Sequence, residues 1–253
     1  MVYFDECYDQ PHTYLILGAL FNPEHKKIHR DFLHRKRNKH FIRRDGSARE
    51  IKYSSCISKS HYDIACEAVN CFMDSQSSFR AIVIDQSPKS GFTFDFWGRP
   101  SESMAIKRAK AYKRFTELLL RSNISNVSDA VLRTDRMTRC RGDIFLRLIE
   151  ELFGTAGMNY SLGKDKPIFR CVEVVDTALE QYHVGQIGDI LQGVILNELV
   201  PISNEWKNKL REYTKKKLGL KSLSQDYWLP MPKWKQDQLH PKYQIWYWKP
   251  QEK

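Results

Sequence analysis

Short apolar runs alternate with longer amphipathic stretches along most of this chain. The first two runs, at residues 2–5 and 14–20, are joined by a short turn-forming segment and predict an antiparallel hairpin. Later runs at residues 79–84, 130–134 and 169–175 each precede a helical pattern. A hairpin followed by such units predicts an α/β fold, in which helices cover both faces of a mixed sheet.

Apolar residues at helical spacing predict helices between and after these strands. The first begins at the start signal Asn22-Pro23-Glu24, and the others span residues 61–73, 103–121, 143–153, 185–199 and 207–217. Residues 49–53 alternate in polarity and predict a short strand or an extended segment. After Pro201 the chain becomes basic and then rich in Trp, Tyr and Pro, so we divide it into a domain of residues 1–200 and a C-terminal helical and aromatic extension of residues 201–253.

The composition is that of a globular protein, with 42% hydrophobic and 28% charged residues. No apolar run approaches the roughly 20 residues that cross a bilayer, and the first residues lack the pattern of a signal peptide. The six cysteines show no Cys-x-x-Cys spacing, so a zinc cage is not expected. These features predict a soluble cytoplasmic protein without a membrane partner.

The net charge of +11 is concentrated in one block. Between Lys26 and Arg44 lie nine Lys or Arg residues, with Asp31 as the only acid. Such a block predicts contact with nucleic-acid phosphates, and the alternative is an ordinary solvated helix face. The residues expected to bind nucleic acid are Lys26, Lys27, Arg35, Lys36 and Arg37, together with Lys52, Arg136 and Arg139.

Acidic residues stand where strands end. Asp5, Asp135 and Asp176 each end or directly follow a predicted strand, and such positions converge at one edge of an α/β sheet. Asp189 lies in the most apolar helix, where a carboxylate needs a base or a metal. Clustered carboxylates favour Mg²⁺ or Mn²⁺ and two-metal phosphodiester hydrolysis. The alternative for each Asp is a turn or cap role, which we assign to Asp85.

Four short motifs, in this order, resemble the domain-of-unknown-function 3800 family over about residues 1–200. They are Tyr3-Phe4-Asp5-Glu6, Glu50-Ile51-Lys52, Thr134-Asp135-Arg136, and Gln186-Ile187-Gly188-Asp189 after Asp176-Thr177. The resemblance implies an RNase H-like fold and a two-metal nuclease site formed by Asp5, Glu50, Asp135 and Asp189. We expect Glu6, Asp176 and Gln186 to lie beside these ligands. Cys7-Tyr8 replaces the family's Ser-Gly, and Gly188 replaces its Ala.

The leading functional hypothesis is a metal-dependent nuclease that acts on DNA or RNA. A second is a non-catalytic subunit that binds nucleic acid or a protein partner, for which the tryptophan-rich residues 225–250 would supply an interface. The alternative for those tryptophans is that they fold back onto the domain. A third hypothesis is nucleotidyl or strand transfer, which uses the same type of carboxylate site.

Overall fold

A computed structural model describes residues 1–9, 13–121, 130–135, 144, 147–148, 169–223, 227–228 and 240–248. Within these ranges the chain forms seven strands and five α-helices. The strands are β1 (Val2–Tyr8), β2 (Tyr14–Phe21), β3 (Ser78–Asp85), β4 (Ala130–Asp135), β5 (Phe169–Val175), β6 (Tyr227–Trp228) and β7 (Tyr243–Trp248). The helices are α1 (His25–Asn38), α2 (Lys59–Asp74), α3 (Met104–Arg121), α4 (Val184–Leu199) and α5 (Glu205–Leu218).

All seven described strands belong to one mixed sheet, in the order β5-β4-β1-β2-β3-β7-β6. Strands β1 and β2 are antiparallel neighbours, as the short connection between the first two apolar runs predicted, and β3 pairs antiparallel with β2. The pairs β1–β4, β4–β5, β3–β7 and β6–β7 are parallel. The predicted α/β fold with a mixed sheet and an antiparallel N-terminal hairpin is therefore confirmed.

The two faces of the sheet contact different helices, because successive side chains of a strand point to opposite faces. Tyr3, Ile16 and Leu20 belong to a core formed with α1, α2, α4 and α5. Val2 and Phe4 belong to a second core formed with α3. Both faces of β2 are thus buried, which explains why its sequence is continuously apolar.

The described part of the C-terminal extension joins the same sheet and core. Strand β7 pairs with β3 along its length, and Trp246 is buried in the α3-side core. The Trp248 ring lies 5.1 Å from Phe115 and 5.7 Å from Phe92, measured between ring centroids. These two tryptophans therefore fold back onto the domain. The boundary at residue 200 stays a prediction.

Two local predictions differ from the structure in detail. Helix α1 begins at His25 with Glu24 at the cap position, while Asn22 is buried and its backbone bonds Met1. Residues 49–52 form no strand and lead into a 3₁₀ turn, Tyr53–Ser55, and Lys52 has an extended backbone. The helix predicted at residues 143–153 falls almost wholly outside the described residues. Among the described residues, no helix combines the length and apolar character needed to cross a bilayer.

Candidate active site

One pocket of about 430 Å³ brings together three of the predicted acids. Asp5 lies in β1, Asp135 ends β4, and Asp189 lies in α4, and all three line the pocket. The parallel pairing of β1 with β4 explains the first contact, because Phe4 pairs with Thr134 and the two Asp residues come next on neighbouring strands. Helix α4 packs against β1 and supplies Asp189 from above the sheet.

Burial and like charge make the Asp5 carboxyl difficult to ionise. One carboxylate oxygen accepts a hydrogen bond from the Glu6 backbone N–H at 2.8 Å. Burial raises the pKa of Asp5 well above its usual value, and the charges of Asp189 and Asp135 raise it further. A carboxylate in this position gains most from a cation placed beside it.

Asp189 is in a similar but milder environment. Burial raises the pKa of Asp189 to about 6, although the Tyr53 N–H and the Lys52 ammonium favour its charged form. The Tyr53 N–H donates to this carboxylate at 2.5 Å. Lys52 is the basic residue among the described residues that line the pocket, so negative charge dominates there.

Thr177 fixes the Asp135 carboxylate at both oxygens. The Thr177 backbone N–H donates to one oxygen at 3.3 Å, and its hydroxyl donates to the other at 3.0 Å. Asp176, predicted to lie beside the ligands, is instead exposed and accepts the Ala178 N–H in a turn. The prediction from sequence therefore named the right dipeptide, Asp176-Thr177, but the wrong residue in it. Thr177, and not Asp176, contacts the Asp135 carboxylate.

Residues 48–53 carry the Glu50-Ile51-Lys52 motif, and both backbone pairing at its start and side chains hold this segment. Ala48 forms an antiparallel bridge with Ile42, and the Arg49 N–H donates to the Phe41 backbone oxygen at 3.0 Å. The Ala48 N–H donates to Glu180 at 2.7 Å, and the Ile51 N–H donates to Gln186 at 3.1 Å. The segment therefore depends on α4 and the turn before it, which also carry the pocket residues.

Glu50 and Glu6 differ in their relation to the pocket. Glu6 lines it, as expected from its position after Asp5. Glu50 is not among the pocket-lining residues, and its carboxylate lies 3.2 Å from the Lys52 ammonium. Glu50 still lies close enough for its charge to contribute to the raised pKa of Asp189.

Gln192 of α4 makes two close contacts with the strands beside the site, and the sequence did not predict them. Gln192 donates to the backbone oxygen of Asp5 at 2.8 Å. It reaches this oxygen across Gly18, the β2 partner of Asp5, where an added Cβ would lie 2.3 Å from the Gln192 amide nitrogen. Gln192 is a polar residue within an apolar helix, three positions after Asp189. This spacing places both side chains on one face of the helix and could have indicated that Gln192 lies near the site.

The residues predicted to bind phosphate divide into several environments. Lys26 and Lys27 are exposed on α1, and Lys27 lies 3.6 Å from Glu24. Arg37 is half exposed and forms an ion pair with Glu180 at 2.7 Å. Arg136 and Arg139 lie outside the described residues.

Two other members of the basic block are engaged inside the protein. Arg35 contacts Glu67 and Asp74 of α2 at 2.7 and 2.8 Å, and so joins two helices. Lys36 has no exposed surface, so the prediction that it contacts phosphate does not fit its position. The sequence spacing indicated that Lys36 would be buried, because it follows Ile28 and Phe32 at intervals of four residues on the apolar face of α1.

The donor chemistry of the pocket fits a hard divalent cation, since aspartate oxygens are the ligands that Mg²⁺ and Mn²⁺ prefer. Because burial and neighbouring charges raise the pKa of Asp5, a cation placed beside it would favour its ionised form. The side chains are not already assembled around a metal position: across the described ranges, no group of three or more His, Cys, Asp or Glu residues has the arrangement that holds an ion.

Comparison with known proteins finds no matching family model, no matching curated protein and no matching solved structure.

Proposed function

We propose that this chain is a divalent-metal-dependent nuclease that hydrolyses phosphodiester bonds of DNA or RNA. The observation that carries the proposal is the convergence of Asp5, Asp135 and Asp189 on one pocket. Burial and mutual repulsion raise the pKa of Asp5 and of Asp189, so ionisation of the cluster is costly without a cation. A cation bound there, beside a phosphate, would neutralise both the cluster and the substrate.

Mg²⁺ or Mn²⁺ would be held by the oxygens of Asp5, Asp135 and Asp189, which line the pocket. Glu50, the fourth carboxylate of the predicted set, lies outside the pocket lining beside Lys52. When bound, such an ion supplies an attacking water of lowered pKa and stabilises the leaving oxygen. The chain's own groups prepare the site: Thr177 orients Asp135, and the Tyr53 N–H orients Asp189.

Lys52 is the residue that we assign to the substrate phosphate. Its side chain lines the pocket and is 45% exposed, and its ammonium lies 3.2 Å from the Glu50 carboxylate. The charges of Glu50, Asp135 and Asp189 raise the pKa of Lys52 despite partial burial, so its amine stays protonated. A fixed ammonium of this kind binds phosphate as a point charge and does not select a base sequence.

The RNase H-like fold and the resemblance to the domain-of-unknown-function 3800 family belong to the same proposal. Support comes from the mixed sheet, in which β1, β2 and β3 are antiparallel and β4 and β5 run parallel to β1. We also propose that the protein acts in the cytoplasm, where thiols stay reduced. Among the side chains that the structure describes, the cysteines at positions 7, 56, 66 and 71 are free thiols, which supports that assignment.

The test is cleavage of labelled single-stranded DNA, duplex DNA and RNA with Mg²⁺ or Mn²⁺. Asp5→Asn and Asp189→Asn should each lower the rate by about 100-fold or more, because each removes charge that the ion requires. Asp63→Asn is the matched control: this residue on α2 pairs with Lys59 at 2.6 Å, and its rate should equal that of the wild type. Activity that survives both pocket substitutions would contradict the proposal.

The same assay separates the alternatives. Joined or extended products instead of shortened ones would indicate strand transfer or nucleotidyl transfer. Binding without cleavage under every metal condition would indicate a non-catalytic nucleic-acid-binding subunit. Lys52→Met should raise KM about tenfold with a smaller change in kcat, as expected for a residue that mainly binds phosphate.

A further inference from the structure

A buried lysine, Lys36, sits behind the candidate site and has no role in the chemistry described above. Its ammonium lies 2.8 Å from the Arg49 backbone oxygen, 2.6 Å from Oε1 of Gln186 and 3.1 Å from Nδ1 of His183. An ammonium has three hydrogens to donate, and these three acceptors match them. The Phe32 ring, with its centroid 4.6 Å from the ammonium, closes the fourth side.

Burying an ammonium group in the core costs desolvation free energy. Burial lowers the pKa of Lys36 to about 7, while the more distant carboxylates of Glu50 and Glu180 favour its charged form and Arg43 opposes it. Across the part of the chain that the structure describes, Lys36 forms no ion pair within 4.0 Å. An apolar side chain of similar volume is often at least as stable in such a place, so the amine needs another explanation.

The acceptors of Lys36 lead directly to the pocket. Oε1 of Gln186 accepts from both Lys36 and the Ile51 N–H, so one oxygen joins α1 to the centre of the Glu50-Ile51-Lys52 motif. The Gln186 amide donates to the Thr177 backbone oxygen at 2.6 Å. Thr177 in turn holds both oxygens of Asp135. A continuous chain of hydrogen bonds thus runs from Lys36 to a pocket carboxylate.

We propose that Lys36 is a positioning residue of the candidate site, whose buried amine fixes residues 49–51 and the Gln186–Thr177 pair and thereby sets where Glu50 and Asp135 lie. The inference rests on the proposed function for its metal-binding consequence. Its structural part, the coupling of Lys36 to the Ile51 and Thr177 backbones, stands independently of that function.

The chain offers a control in Lys242, a partly exposed lysine that immediately precedes β7. Its ammonium also donates to three acceptors, the backbone oxygens of Phe72, Met73 and Ser75, and it also lies over a phenylalanine ring. These acceptors end α2 and do not lead to the pocket residues. Lys36→Met and Lys242→Met therefore remove the same kind of cradle, one connected to the site and one not.

The experiment compares the two variants with the wild type in the full chain, below the melting temperature of each. Binding of Mn²⁺ alone is measured by titration, and amide hydrogen exchange is followed at Ile51 and Thr177. Lys36→Met should weaken Mn²⁺ binding by about tenfold or more, as is typical when a partner behind a metal ligand is lost. It should also speed exchange at both amides by about tenfold, because the bonds that protect them lose their anchor. Lys242→Met should change neither quantity, even if its melting temperature falls.

Wild-type exchange at Ile51 and Thr177 in Lys36→Met would overturn the inference, as would an equal effect of Lys242→Met. If Lys36→Met does not fold, Lys36→Gln, whose shorter neutral side chain lacks the ammonium, must give the same two changes. If the wild type itself binds no Mn²⁺ and cleaves nothing, the proposed function fails, and the exchange data still decide whether Lys36 positions the segment.

Discussion

The two faces of the sheet bury different kinds of side chain. On the α3 face, Phe115 packs among Trp97, Phe92 and Trp248, with ring centroids 5.1 to 6.4 Å apart. On the α4 face the core also encloses polar side chains that bond one another and the backbone, including Lys36, His183, Gln186 and Gln192. Burial of aromatic surface stabilises the α3 face. On the α4 face, hydrogen bonds between buried polar side chains also hold the pocket residues in place.

This difference predicts that damage to the α3 face lowers stability and leaves the site intact. Phe115→Ala should lower the free energy of unfolding by about 3–5 kcal/mol, because it opens a cavity in a fully buried aromatic cluster. Urea unfolding measures the loss, and Mn²⁺ affinity of the folded fraction should be unchanged. A shift in that affinity would show that the two faces are coupled.

A single added methyl on the α4 face should disturb the site itself. At Gly193 a Cβ would lie 1.9 Å from Cγ of Tyr53, the residue whose N–H binds Asp189. Gly193→Ala should therefore cost about 1–3 kcal/mol through overpacking and weaken Mn²⁺ binding as well. Full metal affinity in a destabilised variant would mean that Tyr53 does not position Asp189.

Asp189 should make the protein less stable at neutral pH in the absence of metal. Its pKa of about 6 in the folded protein exceeds the value of about 3.8 in the unfolded chain, so stability falls as the pH rises through this window. Asp189→Asn removes that penalty and should stabilise the metal-free protein by about 1–2 kcal/mol at pH 7.5, after allowance for partial solvent exposure. Thermal melts at pH 7.5 and pH 4 measure this, and a gain that persists unchanged at pH 4 would contradict the assignment.

The smallest expected effect serves as the control for Gly193. A Cβ at Gly188, on the same helix, would meet only the Leu20 Cβ at 3.9 Å, which is an ordinary contact. Gly188→Ala should be neutral or stabilising by about 0.5–1 kcal/mol through helix propensity, with unchanged Mn²⁺ affinity. A destabilised Gly188→Ala would show that α4 tolerates no added volume and that the Gly193 result is not specific to Tyr53. The alanine that the resembling family carries at this position fits the space available.

Much of the fold was predictable because strand and helix periods differ, and β5 was predicted with the bounds observed. The convergence of Asp5 and Asp135 was predicted, but not for the right reason: Asp135 ends β4, whereas Asp5 lies in the middle of β1 and not at its end, and the parallel pairing of the two strands brings the acids together. Thr177 could not be found in this way: it acts on a residue 42 positions away, through a turn whose geometry no local pattern specifies. Lys36 was assigned to the surface because charge outweighed position, although its place on the apolar stripe of α1 indicated burial.

The pairing of β7 with β3 has a consequence for the order in which the protein is made. Strands β1 to β5 are synthesised before residue 176, but until β7 emerges, β3 is the open edge of the growing sheet. Its residues Phe79 to Ile84 are mostly apolar, and an unpaired apolar edge readily recruits a strand from another molecule. Ribosomal stalling or proteolysis between residues 189 and 243 should therefore yield chains that aggregate through β3, even though every pocket residue has already been made.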